Sequence, residues 1–455
     1  MRDFVDLLIH GETVVTMNGD REQISNGAIA VNGGRIVAVT TLADATERFE
    51  PTATLGGPGT AVIPGLINAH QHLTGDRLLR STIPDNLGLN EALMQWALPS
   101  HAAHTGDLDE LSATLSLIEG ATNGVTYTVE AGTVAHPARV LAAFVAVGVG
   151  GTLGSWGWDV GDGPHTGTVN EVLERQKASL DLATDHPSVD GWVTLVGHDL
   201  MTDELVAAAS ELALARNTRL TFHISPSTGD AEAYLARTGR RPLEHLAALG
   251  VLGSHLLIAH AVHIDDSEVR VILDHDVAVA SCPWAYLRLG QGITQSFRHQ
   301  QLIRGGGRLA LGCDSENAGD SIDILLAARL FAGLVKDSTG DPTLYTAKQA
   351  LALATIDGAR ALGMEHEIGS LEVGKRADVV VVDTTGPTWT PRPHDPVIGL
   401  IWASDGRSVR DVVASGRIVV RDGMCTGIDL ASLAAEAQEV HSQLVSRCGA
   451  HTRNE

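Results

Sequence analysis

The sequence predicts an α/β protein: a TIM-like (β/α)8 barrel with a small β-sandwich domain formed by both termini of the chain. Two observations predict this architecture. Helix-like and strand-like segments alternate through the middle of the 455-residue chain, and the two ends share a different pattern of short strands divided by glycine and asparagine. A chain of this length can bury the large core that such a barrel requires.

The two ends of the chain contain the strands predicted for the sandwich. DLLIHGETVVTM and GAIAVNGGRIVAV near the start, and GSLEVGKRADVVVVD and VRDVVASGRIVVRDG near the end, are apolar runs interrupted by turn residues. We expect residues 1–62 and 366–423 to form this domain and residues 63–365 to form the barrel. The remaining residues, 424–455, indicate a C-terminal helix, LASLAAEAQEVHSQLVSR, followed by a tail.

Helix-like segments precede strand-like segments repeatedly in the middle of the chain. DELVAAASELALARN has apolar residues at helical spacing and is followed by TRLTFHIS, and RPLEHLAALGVL is followed by SHLLIAHAVH. The candidate barrel strands lie near 61–67, 123–129, 149–154, 192–197, 218–223, 255–260, 277–281 and 308–312. Eight such units predict a closed barrel, in which catalytic residues lie at the carboxyl ends of the strands.

The composition excludes several classes of function. Lys and Arg total 32 against 55 Asp and Glu, so the formal net charge is −23 and a nucleic acid or an anionic membrane would be repelled. The chain has no basic leader followed by an apolar stretch and no run of about 18 apolar residues, so we expect a cytoplasmic protein. The widely spaced cysteines, Cys282, Cys313, Cys425 and Cys448, are expected to be incidental thiols.

Five side chains that can bind a metal or transfer a proton fall at the ends of predicted strands. His70 and His72 follow the first strand, His223 closes the fifth, His260 closes the sixth and Asp314 follows the eighth. The carboxyl ends of barrel strands form one rim, so these side chains are expected to converge. Residues two apart on an extended chain point to the same side, which allows the first two histidines to bind the same ion or molecule.

The motifs that carry these residues resemble those of the amidohydrolase superfamily, in particular its cytosine, chlorotriazine and S-adenosylhomocysteine deaminases. The resemblance rests on VIPGLINAHQH at the first strand, LTFH at the fifth, LLIAHAVH at the sixth and LALGCDS at the eighth. The segment IGSLEVGKRADVVVVD is similar to the segment of that family in which the chain leaves the barrel and re-enters the β-sandwich. The likeness covers nearly the whole chain and implies the barrel already predicted.

The resemblance implies one divalent metal ion, held by His70, His72, His223 and Asp314. Three imidazoles and a carboxylate suit zinc first, with Fe²⁺, Mn²⁺ and Co²⁺ as alternatives. Relatives with two metals bridge them through a carboxylated lysine at the fourth strand, where this chain has GWVTLVGHDLMT without a lysine. The resemblance therefore implies a mononuclear site.

The resemblance also implies the catalytic roles. His260 would hold the attacking water or polarise the substrate, and Asp314 would accept the proton of that water and pass it to the leaving nitrogen. The reaction class is hydrolysis at an sp² carbon, by a metal-dependent enzyme acting on carbon–nitrogen bonds other than peptide bonds.

Two departures from the deaminase pattern bear on the substrate. The deaminases carry His-x-x-Glu at the fifth strand, whereas this chain has HISPST with Pro226 in place of the proton-donating glutamate. After the seventh strand the chain has CPWAYLRLG, which indicates an apolar pocket. Ureas, carbamates and amides need no acid on a ring nitrogen, so the first hypothesis is hydrolysis of such a small neutral molecule, as in phenylurea and molinate (thiocarbamate) hydrolases.

Two alternatives stay open. One is an aminohydrolase, a deaminase or dechlorinase, acting on a heteroaromatic ring such as a triazine, pyrimidine or purine. The other is a barrel that has kept the fold as a non-catalytic scaffold, against which the retention of the four metal-binding residues argues. The partner is expected to be a small-molecule substrate, and the resemblance implies a homo-oligomer.

Further residues near the predicted rim are candidates for substrate contacts. For Glu130 the two interpretations are a substitute acid and a salt-bridged carboxylate, and for the tryptophans and histidines the alternative is structural packing. The long connection 74–105 is expected to cover the pocket, with His101 and His104 at the surface. The candidate substrate contacts are Trp96, Glu130, Trp156, Trp158, His198, His263, Trp284 and Tyr286.

Overall fold

The computed structural model describes residues 2–393 and 395–447 and has the predicted architecture, a (β/α)8 barrel joined to a β-sandwich domain built from both ends of the chain. The sandwich strands at the start of the chain are β1 (Asp3–Val15), β2 (Gln23–Asn32), β3 (Arg35–Thr41) and β4 (Phe49–Pro64). The strands that follow are β5 (Leu66–Gln71), β6 (Val125–Glu130), β7 (Gly150–Leu153), β8 (Val189–Gly191), β9 (Val193–Gly197), β10 (Leu220–Ile224), β11 (Leu256–His260), β12 (Ala278–Ser281) and β13 (Leu309–Leu311). The last strands are β14 (Val379–Asp383), β15 (Val409–Ala414), β16 (Arg417–Arg421) and β17 (Met424–Cys425).

The α-helices connect and cover these strands. Those in the first half of the chain are α1 (Leu42–Arg48), α2 (Leu89–Ala92), α3 (Leu98–Ala103), α4 (Gly106–Thr122), α5 (Pro137–Val147), α6 (Val169–Ala183) and α7 (Asp203–Ala215). Those that follow are α8 (Thr228–Thr238), α9 (Pro242–Ala248), α10 (Asp266–Asp274), α11 (Pro283–Arg288), α12 (Ile293–Ser296), α13 (His299–Arg304) and α14 (Glu316–Gly319). The last are α15 (Ile324–Thr339), α16 (Ala347–Ala354), α17 (Ile356–Ala361), α18 (Pro396–Trp402) and α19 (Leu430–Arg447).

The sandwich domain contains one eight-stranded sheet that takes strands from both ends of the chain. Its order is β17-β16-β15-β14-β4-β1-β2-β3, and β14 pairs antiparallel with β4, which places Val380 opposite Ile63. The run of four valines in β14 is buried on both faces. Val379 and Val381 pack in the sandwich core, whereas Val380 and Val382 belong to the large core of the barrel. This strand therefore joins the two domains through apolar packing.

The barrel is closed by parallel strands in chain order. The sheets β5-β6-β7-β8 and β13-β12-β11-β10-β9 supply eight staves, because β8 and β9 are one stave interrupted at Trp192. The first and last staves meet where the backbone N–H groups of Cys313 and Asp314 donate to the carbonyl oxygen of His70, at 3.1 and 3.0 Å. The closure thus brings a predicted metal ligand of β5 next to the aspartate that follows β13.

The side chains of the staves alternate between the barrel interior and the helices outside. In β11, Leu257 belongs to the interior cluster, and Leu256 and Ile258 belong to the cluster beneath the helices. Alanines 278, 280 and 310 keep the interior narrow, as expected for a barrel filled by side chains. The interior is therefore a packed core, and an open cavity can form only at its rim.

The first barrel strand lies further along the chain than the sequence predicts. The predicted strand at 61–67 combines the end of the sandwich strand β4 with the start of β5, which are separated at Gly65. A Cβ atom at this glycine would lie 2.1 Å from the Oγ1 atom of Thr126, so only glycine allows the chain to pass so close to β6. The apolar run continues through this crossing, which is why hydrophobicity does not reveal it.

No helix in the described part of the chain is long and apolar enough to cross a membrane. The three described cysteines, Cys282, Cys313 and Cys425, are free thiols, as expected, and Cys448 lies outside the described residues. The predicted C-terminal helix is α19, and the predicted tail also lies outside the described residues. The domain boundaries after residues 62, 365 and 423 stay predictions.

Candidate metal centre and cavity

The four residues predicted as metal ligands lie together at the carboxyl end of the barrel. The Nε2 atom of His72 is 3.2 Å from the Nε2 atom of His223 and 3.4 Å from Oδ1 of Asp314. The Nε2 atom of His70 lies 3.8 Å from the same carboxylate oxygen. Atoms bound at ~2.05 Å to a tetrahedral ion lie ~3.3 Å apart, so these separations match the coordination sphere of zinc.

The hydrogen bonds leave lone pairs directed at one point. The Nδ1–H group of His223 donates to the carbonyl oxygen of Val196 at 2.6 Å, which leaves its Nε2 atom without a proton. The Nε2 atom of His70 is buried and has no partner among the described residues. Facing imidazole lone pairs and an unpaired buried nitrogen are costly unless a cation binds them. The donor set therefore fits a divalent metal ion.

The charges of these residues also suit a cation. Burial lowers the pKa of His70 and His223 well below the usual histidine range, so both imidazoles are neutral. Burial alone would raise the pKa of Asp314, but its hydrogen bond with His72 and the surrounding imidazoles lower it, so this carboxyl group is ionised. Burial alone would lower the pKa of His72, but its contact with Asp314 raises it, so this imidazole is the one whose proton a bound metal ion would displace.

His260, the predicted catalytic histidine, lies beside this cluster at the end of β11. Its ring centroid is 5.2 Å from that of His70 and 5.3 Å from that of His223, and its buried Nδ1 atom has no partner among the described residues. Burial lowers its pKa to about 4. The backbone φ of 79° ends the strand here, and His299 holds the peptide by donating to the His260 carbonyl oxygen at 2.8 Å.

A cavity opens directly above the cluster, and the long connection 74–105 forms part of its wall, as expected. His72, His223, His260 and Asp314 line its floor. Its apolar wall includes Leu93, Leu98, Trp156, Trp158, Val196 and Leu200. The cavity therefore offers an apolar environment to a molecule that reaches the metal-binding side chains.

Three of the predicted substrate contacts line this cavity. The rings of Trp156 and Trp158 stack with centroids 5.5 Å apart. His198 stacks on His223, with centroids 5.3 Å apart, and shares a hydrogen bond of 3.1 Å between its Nδ1 atom and Oδ2 of Asp230. These three side chains are placed to touch a bound molecule.

Trp96 and Glu130 are not at the cavity wall, contrary to the prediction. Trp96 is buried in a separate apolar cluster with Leu78 and Leu444, because the connection 74–105 packs one side against α19. The carboxylate of Glu130 turns into its own loop and accepts the N–H group of Gly132 at 2.6 Å. The salt bridge offered as the alternative for Glu130 is also absent among the described residues, and burial raises its pKa to about 7.

His263, Trp284 and Tyr286 do not line the cavity either. His263 donates from Nε2 to the carbonyl oxygen of Gln291 at 2.6 Å, which fits its alternative as a structural residue. Trp284 is on the outer face of α11 and is 36 % exposed. Tyr286 is buried behind His260, and its hydroxyl oxygen accepts the N–H group of Cys282 at 2.8 Å. The helix that follows β12 therefore supports the site from outside.

The structure also brings to the cavity polar residues that the sequence analysis did not place there. They are Asp76, His101, Gln291 and Asn317. The prediction that His101 and His104 are at the surface is wrong, since both are buried. The position of Asp76 could have been predicted, because it follows His72 by only four residues. The positions of the other residues depend on how the long connections fold.

The fold and the cluster of histidines and aspartate at the rim define a metal-dependent hydrolase of the (β/α)8 class. The chain belongs to the amidohydrolase family, whose sequence model matches residues 61–419. It is an enzyme of that family acting on carbon–nitrogen bonds other than peptide bonds, and it uses a divalent metal ion.

Two deaminases are similar to it over nearly their whole length. It is 31% identical over 417 residues to the 5-methylthioadenosine/S-adenosylhomocysteine deaminase of Syntrophobacter fumaroxidans, covering 92% of this chain and 93% of the relative. The enzyme of that name from Moorella thermoacetica is 30% identical over 446 residues, covering 97% and 98%.

Solved structures show the same fold. An adenosine deaminase from Xanthomonas campestris with bound zinc has a TM-score of 0.92 and 28% identity, covering 98% of this chain and 100% of that one. The atrazine chlorohydrolase of Arthrobacter aurescens, also with zinc, has a TM-score of 0.86 at 24% identity, covering 96% and 100%. The names of the two deaminase relatives and of the adenosine deaminase structure support the ring-directed alternative better than the urea and carbamate hypothesis.

Proposed function

We propose that this amidohydrolase replaces the amino group of an aminated heteroaromatic ring of the purine type with a hydroxyl group. The observation that carries the proposal is the position of the histidine and aspartate cluster at the floor of a cavity walled by two stacked tryptophans. The names of the relatives, which are deaminases of adenine-containing compounds, add support.

We assign the metal to His70, His72, His223 and Asp314. A bound zinc ion supplies a Lewis acid that lowers the pKa of water and withdraws charge from the reacting carbon. The histidines hold it with neutral nitrogens whose second ring nitrogens are fixed, for example by the carbonyl oxygen of Val196 at 2.6 Å.

Asp314 transfers the proton in this reaction. Its Oδ1 atom accepts the N–H group of Ser315 at 2.8 Å, and this contact fixes the carboxylate at the cavity floor. The ionised carboxylate takes a proton from the attacking water and delivers it to the leaving amine. Asp314 therefore has two roles in the proposal, as a ligand of the metal and as the group that transfers the proton.

His260 orients the attacking water. Its ring lines the cavity floor next to the metal-binding histidines, and its low pKa keeps the imidazole neutral and able to accept a hydrogen bond. Trp156 and Trp158 offer flat apolar faces against which a heteroaromatic ring stacks. Together they place the ring carbon above the cluster.

A second candidate function is hydrolysis of a small urea, carbamate or amide, and one observation favours it. Pro226 lines the cavity at the position where the related deaminases carry a glutamate that protonates the ring. A substrate with its own carbonyl group does not need that acid. In the proposed deamination, the proton for the ring nitrogen comes from another cavity group or from water.

The test is product analysis by mass spectrometry with zinc-loaded protein and a mixed panel of aminated purines, pyrimidines and triazines, N-substituted ureas, carbamates and amides. The proposal expects an amino group exchanged for a hydroxyl group on an intact ring, with release of ammonia. Cleavage of a urea or carbamate into two fragments, with no change in any ring compound, would establish the second candidate instead.

A further inference from the structure

The cavity has few carboxyl groups. Among the described residues that line it, the side chains that carry one are Asp76 and Asp314. The proposed deamination adds water beside a ring nitrogen, and that nitrogen gains a proton as the water oxygen bonds to the carbon. Asp314 is ionised and assigned to the metal, Glu130 does not line the cavity, and Pro226 has no acidic proton. Asp76 is therefore the carboxyl group left to supply the proton.

Backbone packing holds Asp76 at the cavity wall. It lies four residues after His72, where the connection that follows β5 packs against α3. At Gly75, whose φ is 81°, an added Cβ atom would lie 2.0 Å from Cε1 of His101, so only glycine allows this close approach. The carbonyl oxygen of Asp76 then accepts the N–H group of Leu79 at 3.0 Å. The position of the carboxyl group is thus fixed by the chain on both sides of it.

Asn317 determines which oxygen of this carboxyl group can carry a proton. Its Nδ2 atom donates to the carbonyl oxygen of Asp76 and to Oδ1 of Asp76, at 3.1 Å each. A carbonyl oxygen only accepts, so the amide nitrogen faces Asp76 and Oδ1 is occupied as an acceptor. Oδ2 has no hydrogen bond with any described residue, and Nε2 of His101 lies 3.8 Å away, beyond hydrogen-bond distance. A proton on Oδ2 is therefore available to a bound molecule.

The surroundings of Asp76 favour its protonated form. Burial raises the pKa of this carboxyl group, and His72 and the Asn317 hydrogen bond offset the rise only in part. Burial lowers the pKa of His101 well below the usual range, so this neighbour is neutral. None of the histidines assigned to the metal forms an ion pair with Asp76 in the described part of the chain. The charged and titratable groups that face it are His72 just after β5, His101 and His104 at the end of α3, and Asp314 and Glu316 after β13.

We propose that Asp76 is the catalytic acid that protonates a nitrogen of the substrate ring, an inference that rests on the proposed function and deepens it. The O–H bond at Oδ2 breaks as the ring nitrogen gains the proton, while the water oxygen bonds to the neighbouring carbon and Asp314 accepts one proton of that water. Asp314 passes this proton to the amino group, the C–N bond breaks and ammonia leaves. The proton of the new hydroxyl group returns to Asp76, so both carboxyl groups regain their starting states.

The first experiment replaces the acid with an amide. Asp76→Asn keeps an acceptor for Asn317 but has no acidic proton, so we expect kcat/KM of the zinc-loaded enzyme for 5′-methylthioadenosine to fall about 100-fold or more, mainly through kcat. Asp76→Glu should restore part of the loss. The matched control is Glu130→Gln, because Glu130 is also a buried carboxyl group with a raised pKa but does not line the cavity. Equal effects of Asp76→Asn and Glu130→Gln would overturn the proposal.

A pH profile separates an acid from a residue that only supports the fold. The kcat/KM of the wild-type enzyme should fall as the pH rises through the pKa of Asp76, because only the protonated carboxyl group donates. Asp76→Asn should be slow at every pH and should lack this decline, whereas Glu130→Gln should keep it. A decline that persists unchanged in Asp76→Asn would assign the proton to another cavity group, such as His198.

Binding of purine riboside tests the proton transfer without release of an amine. This compound carries hydrogen in place of the amino group, so water can add across a ring C=N bond and change the ultraviolet spectrum, but no ammonia can leave. We expect the zinc-loaded wild-type enzyme to bind the hydrated ring and Asp76→Asn to bind the unchanged ring. Hydration by the wild type without deamination of any ring compound would mean that only the proposed function fails. Hydration by Asp76→Asn as complete as that by the wild type would refute the role of Asp76.

Discussion

Asp314 is held in the site through both its backbone and its carboxylate. Its backbone closes the barrel on His70, its φ of 67° turns the chain out of the last stave, and its carboxylate lies among imidazoles that hold it ionised. A left-handed backbone at a non-glycine residue is tolerated where the surrounding contacts fix it. The residue thus links the barrel framework to the proposed chemistry.

Replacing Asp314 with asparagine tests the proton-transfer role. The amide keeps the size of the side chain but cannot accept the proton of water, so we expect kcat to fall by about 10³-fold or more. Asp320→Asn is a control on the same connection, since Asp320 pairs with Arg288 at 3.1 Å instead of the cluster. Steady-state kinetics and zinc analysis of both variants check this, and an active Asp314→Asn enzyme would exclude the role.

Glu130 shows how a rim position can serve folding instead of catalysis. Its carboxyl group is fully buried, accepts backbone N–H groups of its own loop and has its pKa raised to about 7 by burial. A raised carboxyl pKa means that the folded state binds a proton that the unfolded state releases near its ordinary value of 4.5. Its stabilising contribution is therefore complete below that value and is lost as the pH rises to about 7.

Glu130→Gln should remove this pH dependence. The neutral amide keeps an acceptor for Gly132, so the difference in unfolding free energy between pH 5 and pH 8 should shrink by up to about 3 kcal/mol. Turnover should change little, because the side chain does not line the cavity. Urea unfolding of both proteins at the two pH values is the measurement, and an unchanged pH difference would show that this carboxyl group does not titrate in the range given.

At the scale of elements, the connection 74–105 has two sides with different partners. One side supplies cavity residues such as Leu93 and Leu98, and the other packs with α19 through Leu78 and Leu444. His441 of α19 also bonds to the carbonyl oxygen of Leu78 at 2.8 Å. The C-terminal helix therefore supports the cavity wall from outside.

Shortening a buried side chain of α19 should loosen this wall. Leu444→Ala is expected to lower the unfolding free energy by about 2–4 kcal/mol and to raise KM, because Leu444 is buried against the connection. Leu430→Ala, in the same helix but 51% exposed, should change stability by less than about 0.5 kcal/mol. Chemical unfolding and KM values of both variants test the difference, and similar behaviour would contradict the packing role.

At the scale of the whole molecule, the site is assembled by barrel closure. Its residues come from β5 and the residues just after it, from β10 and β11, and from the connection after β13, so no local segment contains it. A metal bound there ties together parts of the chain up to 244 residues apart, from His70 to Asp314. Binding only to the folded state stabilises that state.

Removal of the metal should accordingly lower the melting temperature. We expect chelation to reduce Tm by roughly 5 °C or more and added zinc to restore it, because the buried ligand atoms otherwise lack partners. Calorimetry before chelation, after chelation and after zinc addition is the measurement. An unchanged Tm would argue against a metal that joins several staves.

The sequence predicts the barrel, the sandwich and the convergence of the rim residues because those depend on periodicity and on chain order. It does not locate the crossing at Gly65, since the apolar run passes through it without a break. The sequence also places Trp96 and Glu130 at the cavity, where the structure does not have them. Trp96 is buried by the packing of a connection, and Glu130 is turned away by a hydrogen bond within its loop.

The substrate class depends on features that a strand pattern does not encode. Pro226 and the aromatic residues after the seventh strand favoured urea or carbamate hydrolysis, but Trp284 lies outside the cavity and Tyr286 lies behind His260. That Asp76, Gln291 and Asn317 line the cavity depends on how the connections fold, which the strand pattern does not predict. The relatives then support the ring-directed alternative.

The central claim is that one divalent ion, held by His70, His72, His223 and Asp314, is required for hydrolysis. The most direct measurement is a titration of chelated, metal-free enzyme with zinc, in which deamination of 5′-methylthioadenosine is followed at each addition. We expect activity to rise in proportion to added zinc and to stop rising at one equivalent per chain. A plateau at two equivalents, or full activity without added metal, would contradict it.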